Sequence, residues 1–215
     1  MEPVLATLGR LLLEAIAPRR CAGCDAVSEE PLCVRCVRAI DDLPVPTARA
    51  MAYGSAHAGF EFVEPVRSAV HRGKYGGDRR ALEALGRLVS GRLELDGPAI
   101  PDAVAPVPLG PRRRRQRGYN QAEVLAGVIA GARGVPLLEG LRRVRDTAPQ
   151  SSRDEVARRR NVTGAFGWEG PSLRGARLWL VDDVLTTGAT LESAAAAMAG
   201  AGAARIDAIV VAVVL

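Results

Sequence analysis

The chain has 215 residues, 48% of them apolar, 25% charged and 4% aromatic, with a formal net charge of +5 at pH 7. That length and apolar content fit one globular domain with a small appended module, and they exclude a disordered or collagen-like chain. No apolar run approaches the roughly 18 residues that a membrane span needs, so membrane insertion is not expected.

In chain order, the opening 1–18 stretch places Val4, Leu5, Leu8, Leu11, Leu12, Ala15 and Ile16 at helical spacing, which predicts an amphipathic helix packed on the body. It has no basic residue ahead of its apolar part, carries Arg10 and Glu14 inside it and lacks a small-x-small cleavage site, so a cytoplasmic protein is expected. All four cysteines then fall in Cys21-x2-Cys24-x8-Cys33-x2-Cys36. Two such knuckles bring four thiolates within tetrahedral reach of one Zn²⁺, and Arg19, Arg20, Arg35 and Arg38 favour the ionised thiolates. Four protein ligands leave no open position, which predicts a structural rather than a catalytic metal. Pro44-Val45-Pro46 reads as an extended linker, giving an N-terminal helix and zinc module over 1–46 and a main domain over 47–215.

After the linker, apolar strand-like runs alternate with helical ones. Strands are expected at Ala48–Tyr53, Asp102–Val107, Arg177–Val181 and Arg205–Leu215, and helices at Val63–Arg72, Arg80–Leu93, Asn120–Ala132 and Ala189–Ala201. The alternation predicts an α/β fold, a mostly parallel sheet flanked by helices.

Charge is distributed unevenly. The chain holds 28 arginines and one lysine, a skew that reads first as codon usage, but residues 101–165 carry thirteen arginines against six acids. A basic segment of that strength points to a polyanion, either small-molecule phosphates or a nucleic-acid backbone. Arg112, Arg113, Arg114, Arg115 and Arg117 follow a predicted strand and are expected in a loop over its carboxyl end, where α/β ligands bind. Their guanidinium forks suit pyrophosphate, and their number suits a longer anion such as single-stranded DNA, with Tyr119 and Tyr75 as stacking candidates. Asn120 and Gln121 either cap the next helix or orient a phosphate or base. Arg142, Arg143 and Arg145, with Thr147, Gln150, Arg153, Arg158, Arg159 and Arg160, lack apolar periodicity and read as a lid. Lys74, the only lysine, is flanked by Gly73 and by Gly76-Gly77, which predicts a turn that wants a compact ammonium.

The most informative stretch is Leu178-Trp-Leu-Val-Asp182-Asp183-Val-Leu-Thr186-Thr187-Gly188-Ala189-Thr190: an apolar strand, two acids, a hydroxyl-and-glycine turn and a helix start. Backbone N–H groups of the turn and the threonine hydroxyls can surround a phosphate, and Gly188 permits close approach. Asp182 and Asp183 suit ribose hydroxyls and a Mg²⁺ carried by the same ligand.

These thirteen residues resemble the phosphoribosyl-pyrophosphate (PRPP) motif of type I phosphoribosyltransferases. Val104-Ala-Pro-Val-Pro-Leu109, Arg117-Gly118-Tyr119-Asn120-Gln121-Ala-Glu123, Arg143-x-Arg145-x-Thr147-x-x-Gln150 and Arg158-x-x-Asn161-x-x-Gly164-Ala-Phe166 follow the order of the ComF family, as does the four-cysteine head. The resemblance implies a type I phosphoribosyltransferase-like domain behind a zinc module. Asp182 and Asp183 would then hold the ribose, Thr186 to Thr190 (including Ala189) the 5-phosphate, and Mg²⁺ would accompany PRPP. Lys74, Arg117, Gly118, Asn120, Gln121 and Arg145 would form the basic group for pyrophosphate. It also implies a link to DNA uptake in natural competence, with a helicase-like or other DNA-processing partner. The alternative is a non-catalytic single-stranded-DNA-binding accessory factor that keeps the PRPP loop as a sensor or relic.

Overall fold

In the computed structural model, residues 18–145 and 164–215 are described. The expected opening helix, the lid residues Thr147, Gln150, Arg153, Arg158, Arg159 and Arg160, and the motif residue Asn161 lie outside them.

Two nine-residue strands, β6 (Arg177–Leu185) and β7 (Arg205–Val213), form the middle of the sheet. They are apolar almost throughout because helices cover both their faces. β7 pairs in parallel with β2 (Gly54–Glu61), β6 in parallel with β3 (Ala103–Pro106), and β1 (Arg49–Met51) runs antiparallel on the outside of β2. The order is β1-β2-β7-β6-β3, and a separate hairpin joins β4 (Leu141–Arg143) to β5 (Phe166–Trp168).

Period-two alternation divides the core. Trp179, Val181 and Ile209 pack with α2 (Val66–Tyr75), α3 (Arg79–Asp96) and α5 (Gln121–Arg133), whereas Leu178, Leu180, Ile206 and Val210 pack with α6 (Ala189–Gly200) and the hairpin. The cysteine module, with its helix α1 (Val34–Asp41), joins the first of these cores through Cys21, Leu32, Cys36 and Ile40. Polar ties add to that packing: Arg80 donates to Glu29 O at 2.7 Å and Arg92 to Ile40 O and Asp41 O at 2.9 Å.

The expected helices and strands are present with shifted ends, and three differences matter for the site. First, α2 runs on through Gly73 and Lys74 to Tyr75, so Lys74 stands in a last helical turn and not in a glycine-marked turn. Gly73 is there for packing: a Cβ at this position would lie 2.5 Å from Leu82 of α3. Second, Arg112 to Arg115 and Arg117 form a short helix, α4 (Pro111–Arg117), and not a loop. Pro111 opens it, arginine is a good helix former, and Gly118 ends it at φ 77°. Third, β6 continues past Val181 to Leu185, which puts the acid pair inside the strand. Strand β2 was not expected, because its Gly-Ser-Ala-His-Ala-Gly run holds no β-branched residue. The β4–β5 hairpin and α1 were not expected either.

Candidate functional site

The carboxyl end of β6 carries the acid pair. Alternation along the strand sends Asp182 and Asp183 toward opposite faces. Asp182 is half-buried, and its Oδ1 accepts the Asp183 N–H at 2.8 Å. Burial, and next the neighbouring Asp183 charge, push its carboxyl up to about 7, against the pull of Lys74 and Arg117. Asp183 is buried; its Oδ1 lies 2.7 Å from Lys74 Nζ, while its Oδ2 has no hydrogen-bond partner among the described residues. A buried carboxylate oxygen without a partner is costly in a native protein.

Beyond the acids the chain leaves the sheet through exposed Thr186 and half-buried Thr187. Gly188, at φ 82°, caps α6. No side chain caps this helix; Glu192 N bonds back to Gly188 O and Ala189 N lies 3.4 Å from Thr187 Oγ1. Asp182, Thr186, Thr187, Gly188, Ala189 and Thr190 line one small hollow at this helix start. Such a turn can receive an anion on backbone N–H groups and threonine hydroxyls. A larger pocket, of 440 Å³, opens beside it and shares Thr187 and Ala189, with Arg49, Tyr53 and Glu192 as its other wall. Arg49 reaches Thr186 O at 3.5 Å, and Glu192 receives Ala52 N. Neither Arg49 nor Ala52 was legible as lying beside this region, since each contact spans more than 130 positions.

The expected basic group is only partly assembled. Arg117 places its guanidinium 5.0 Å from the centre of the exposed Tyr75 ring, next to Lys74. Gly118 is the left-handed residue that turns the chain toward Tyr119. Of the two readings for Asn120 the capping one holds: Oδ1 accepts Ala122 N at 3.1 Å, Nδ2 donates to Val107 O at 2.9 Å, and the residue is fully buried, with no surface for a phosphate. Gln121 is buried too, with an unpartnered Oε1. Tyr119 is no open stacking platform, because its hydroxyl donates to Gly73 O and its ring packs on the core beneath Arg79. Arg112, Arg113, Arg114 and Arg115 are exposed, and Arg114 pairs with Glu123. Arg145 is exposed at the edge of the described residues.

The cysteine cluster closes as the spacing predicts: the four sulfurs lie within 4.8 Å of one another. Cys21 Sγ accepts N–H groups from Cys33 at 3.3 Å and Gly23 at 3.4 Å. Burial would raise the Cys21 thiol, but those N–H donors outweigh it and bring it down to about 6, a thiolate suited to a metal. The cluster can hold a metal ion. Among the described residues no helix is long and apolar enough to cross a membrane.

Comparison with known proteins agrees with this arrangement. Residues 121–214 match the phosphoribosyl transferase domain family. The DNA utilization protein YhgH of Salmonella typhimurium is 30% identical over 87% of this chain and 81% of its own length. Competence protein F of Haemophilus influenzae is 34% identical over 60% of each chain. Among solved structures, the glutamine PRPP amidotransferase from B. subtilis, complexed with ADP and GMP, shares 20% identity with a TM-score of 0.43, over 61% of this chain and 26% of that one. With a mostly parallel sheet, an acid pair leading into a threonine turn and a four-cysteine head, the chain has the type I phosphoribosyltransferase-like fold and belongs to the ComF family.

Proposed function

We propose that the chain binds PRPP and displaces pyrophosphate from it, in a task connected with DNA use. The observation that carries this reading is the end of β6: a buried Asp183 with one oxygen unpartnered among the described residues, next to Asp182 and three residues before a turn that can receive an anion. In this reading Thr186, Thr187 and Thr190, with the backbone around Gly188 and Ala189, hold the 5-phosphate. Asp182 and Asp183 hold the ribose hydroxyls. The free Asp183 oxygen also fits a Mg²⁺ carried with the ligand, which when bound supplies neutralising charge for a leaving pyrophosphate. Arg117, over the Tyr75 ring and near enough for its charge to act on Asp182, adds fixed positive charge. Catalysis then rests on position and electrostatics, with no protein nucleophile needed. The four cysteines hold Zn²⁺ as a structural ion.

Calorimetric titration of the zinc-loaded protein with Mg²⁺ and PRPP tests the reading. Heat in the native chain that vanishes in Asp182→Asn/Asp183→Asn supports a live site, and pyrophosphate release on screening acceptor bases would make it an enzyme. No heat in the native chain overturns it.

A second reading has its own observation. Arg112, Arg113 and Arg115 are exposed on α4 with no ion-pair partner among the described residues, a cluster larger than one pyrophosphate needs. Single-stranded DNA is its proposed ligand, in keeping with relatives named for DNA utilization and competence. Replacing these three arginines with alanine should flatten the salt dependence of oligonucleotide binding.

A further inference from the structure

Three consecutive residues at the end of α2 each reach a different part of the site. Gly73 O accepts the Tyr119 hydroxyl, Lys74 Nζ lies 2.7 Å from Asp183 Oδ1, and the Tyr75 ring carries Arg117 at 5.0 Å. One helical turn thus ties the 117–119 segment to the acid on β6. The lysine side chain is 17% exposed and the carboxylate 7%, so water and salt screen this ion pair weakly.

Residue type sharpens the point. The chain holds 28 arginines and one lysine, and that lysine faces the buried acid. A guanidinium is a fork that takes both oxygens of a carboxylate, whereas an ammonium is a point charge. Here the ammonium engages Oδ1 and leaves Oδ2 without a partner.

We propose that Lys74 is a positioning residue for Asp183, an internal cation that fixes one carboxylate oxygen and leaves the other, enclosed oxygen without a protein partner among the described residues, and not a ligand of pyrophosphate. Its consequence for PRPP rests on the function proposed above; the pairing itself does not. Two effects follow. Lys74 competes with any divalent cation for Asp183, so the site stays nearly neutral until ligand and cation arrive together. An arginine in its place would engage both carboxylate oxygens.

The test is Mn²⁺ titration of the full, zinc-loaded chain without PRPP, followed by electron paramagnetic resonance, beside a separate titration with inorganic pyrophosphate. Lys74→Met should bind Mn²⁺ about tenfold more tightly, because a competing cation is gone. Lys74→Arg should bind it more weakly than the native chain, and pyrophosphate affinity should stay within about threefold in Lys74→Met. A pyrophosphate affinity that drops tenfold in Lys74→Met, or no gain in Mn²⁺ affinity, overturns the proposal. Lys74→Met also strands a buried carboxylate and should lower Tm by about 10 °C. Adding Asp183→Asn should recover most of that loss, and a double variant as unstable as Lys74→Met counts against the pairing. Failure of the PRPP reading looks different: no PRPP heat in the native chain, with the Mn²⁺ contrast intact.

Discussion

The two halves of the site are built in opposite ways. The phosphate half, from Asp182 to Thr190, is one contiguous strand–turn–helix whose parts are a few bonds apart. The cation half draws Lys74 from α2, Arg117 from α4 and Tyr119 from the link between α4 and α5, joined through the end of α2, whose Lys74 reaches Asp183 on β6. α2 is in turn held by the cysteine module, through Arg72 with Asp25 and through Gly23, where a Cβ would stand 2.8 Å from Pro65. A contiguous half survives damage elsewhere in the molecule. An assembled half depends on each element that carries it.

Breaking the module should therefore harm the cation half most. Chelation of the ion proposed for the cysteine cluster, or Cys21→Ser, which replaces a cysteine that is also a core residue, is expected to abolish cooperative melting of the module or lower Tm by more than about 10 °C. Differential scanning calorimetry with and without chelator reads this.

The next effect sharpens the phosphate half. With Asp182 raised to about 7, above its ordinary 3.8, the folded state binds the proton more tightly than the unfolded chain does. Stability should be greatest below about pH 4 for this group and fall as pH climbs to about 7, by roughly 2–4 kcal/mol. Asp182→Asn should remove that slope in urea titrations run across the range; an unchanged slope would place the titration elsewhere.

Gly188→Ala separates conformation from crowding. A Cβ there meets only Leu185 Cδ1 at 3.5 Å, so the cost comes from φ 82° itself, about 1–2 kcal/mol. PRPP affinity should drop with it while Mn²⁺ binding at Asp183 is retained. The smallest effect is expected from Arg72→Ala, whose partner Asp25 is 60% exposed: about 0.2–1 kcal/mol in a thermal melt. A larger loss would mean that this ion pair, and not the apolar packing around Cys21 and Cys36, carries the module.

What was legible in the sequence follows the same division. The acid pair, the threonine turn and the four cysteines were each readable because their chemistry lies within a short span, where residue type and spacing dictate local geometry. Lys74 was noticed for its rarity but placed in a turn, because a glycine beside it looks like a helix breaker until Leu82 is known to press on it. The arginines after Pro111 were read as a loop, since a seven-residue helix carries too little periodicity to detect. Tyr119 and Asn120 lie within the basic segment by sequence, yet burial assigns one to a tie with Gly73 and the other to a helix cap.

By itself, then, the sequence determined the fold class, the four-cysteine cluster and the threonine-and-glycine turn after the acid pair, all features set by periodicity and close spacing. Only the tertiary structure decided that Asp182 and Asp183 face apart, that the lone lysine pairs with Asp183, and that Arg49 and Ala52 lie against the loop and the helix after it. Those depend on which face of the sheet each helix covers, and that is settled by burying apolar area across the whole chain, which no short window records.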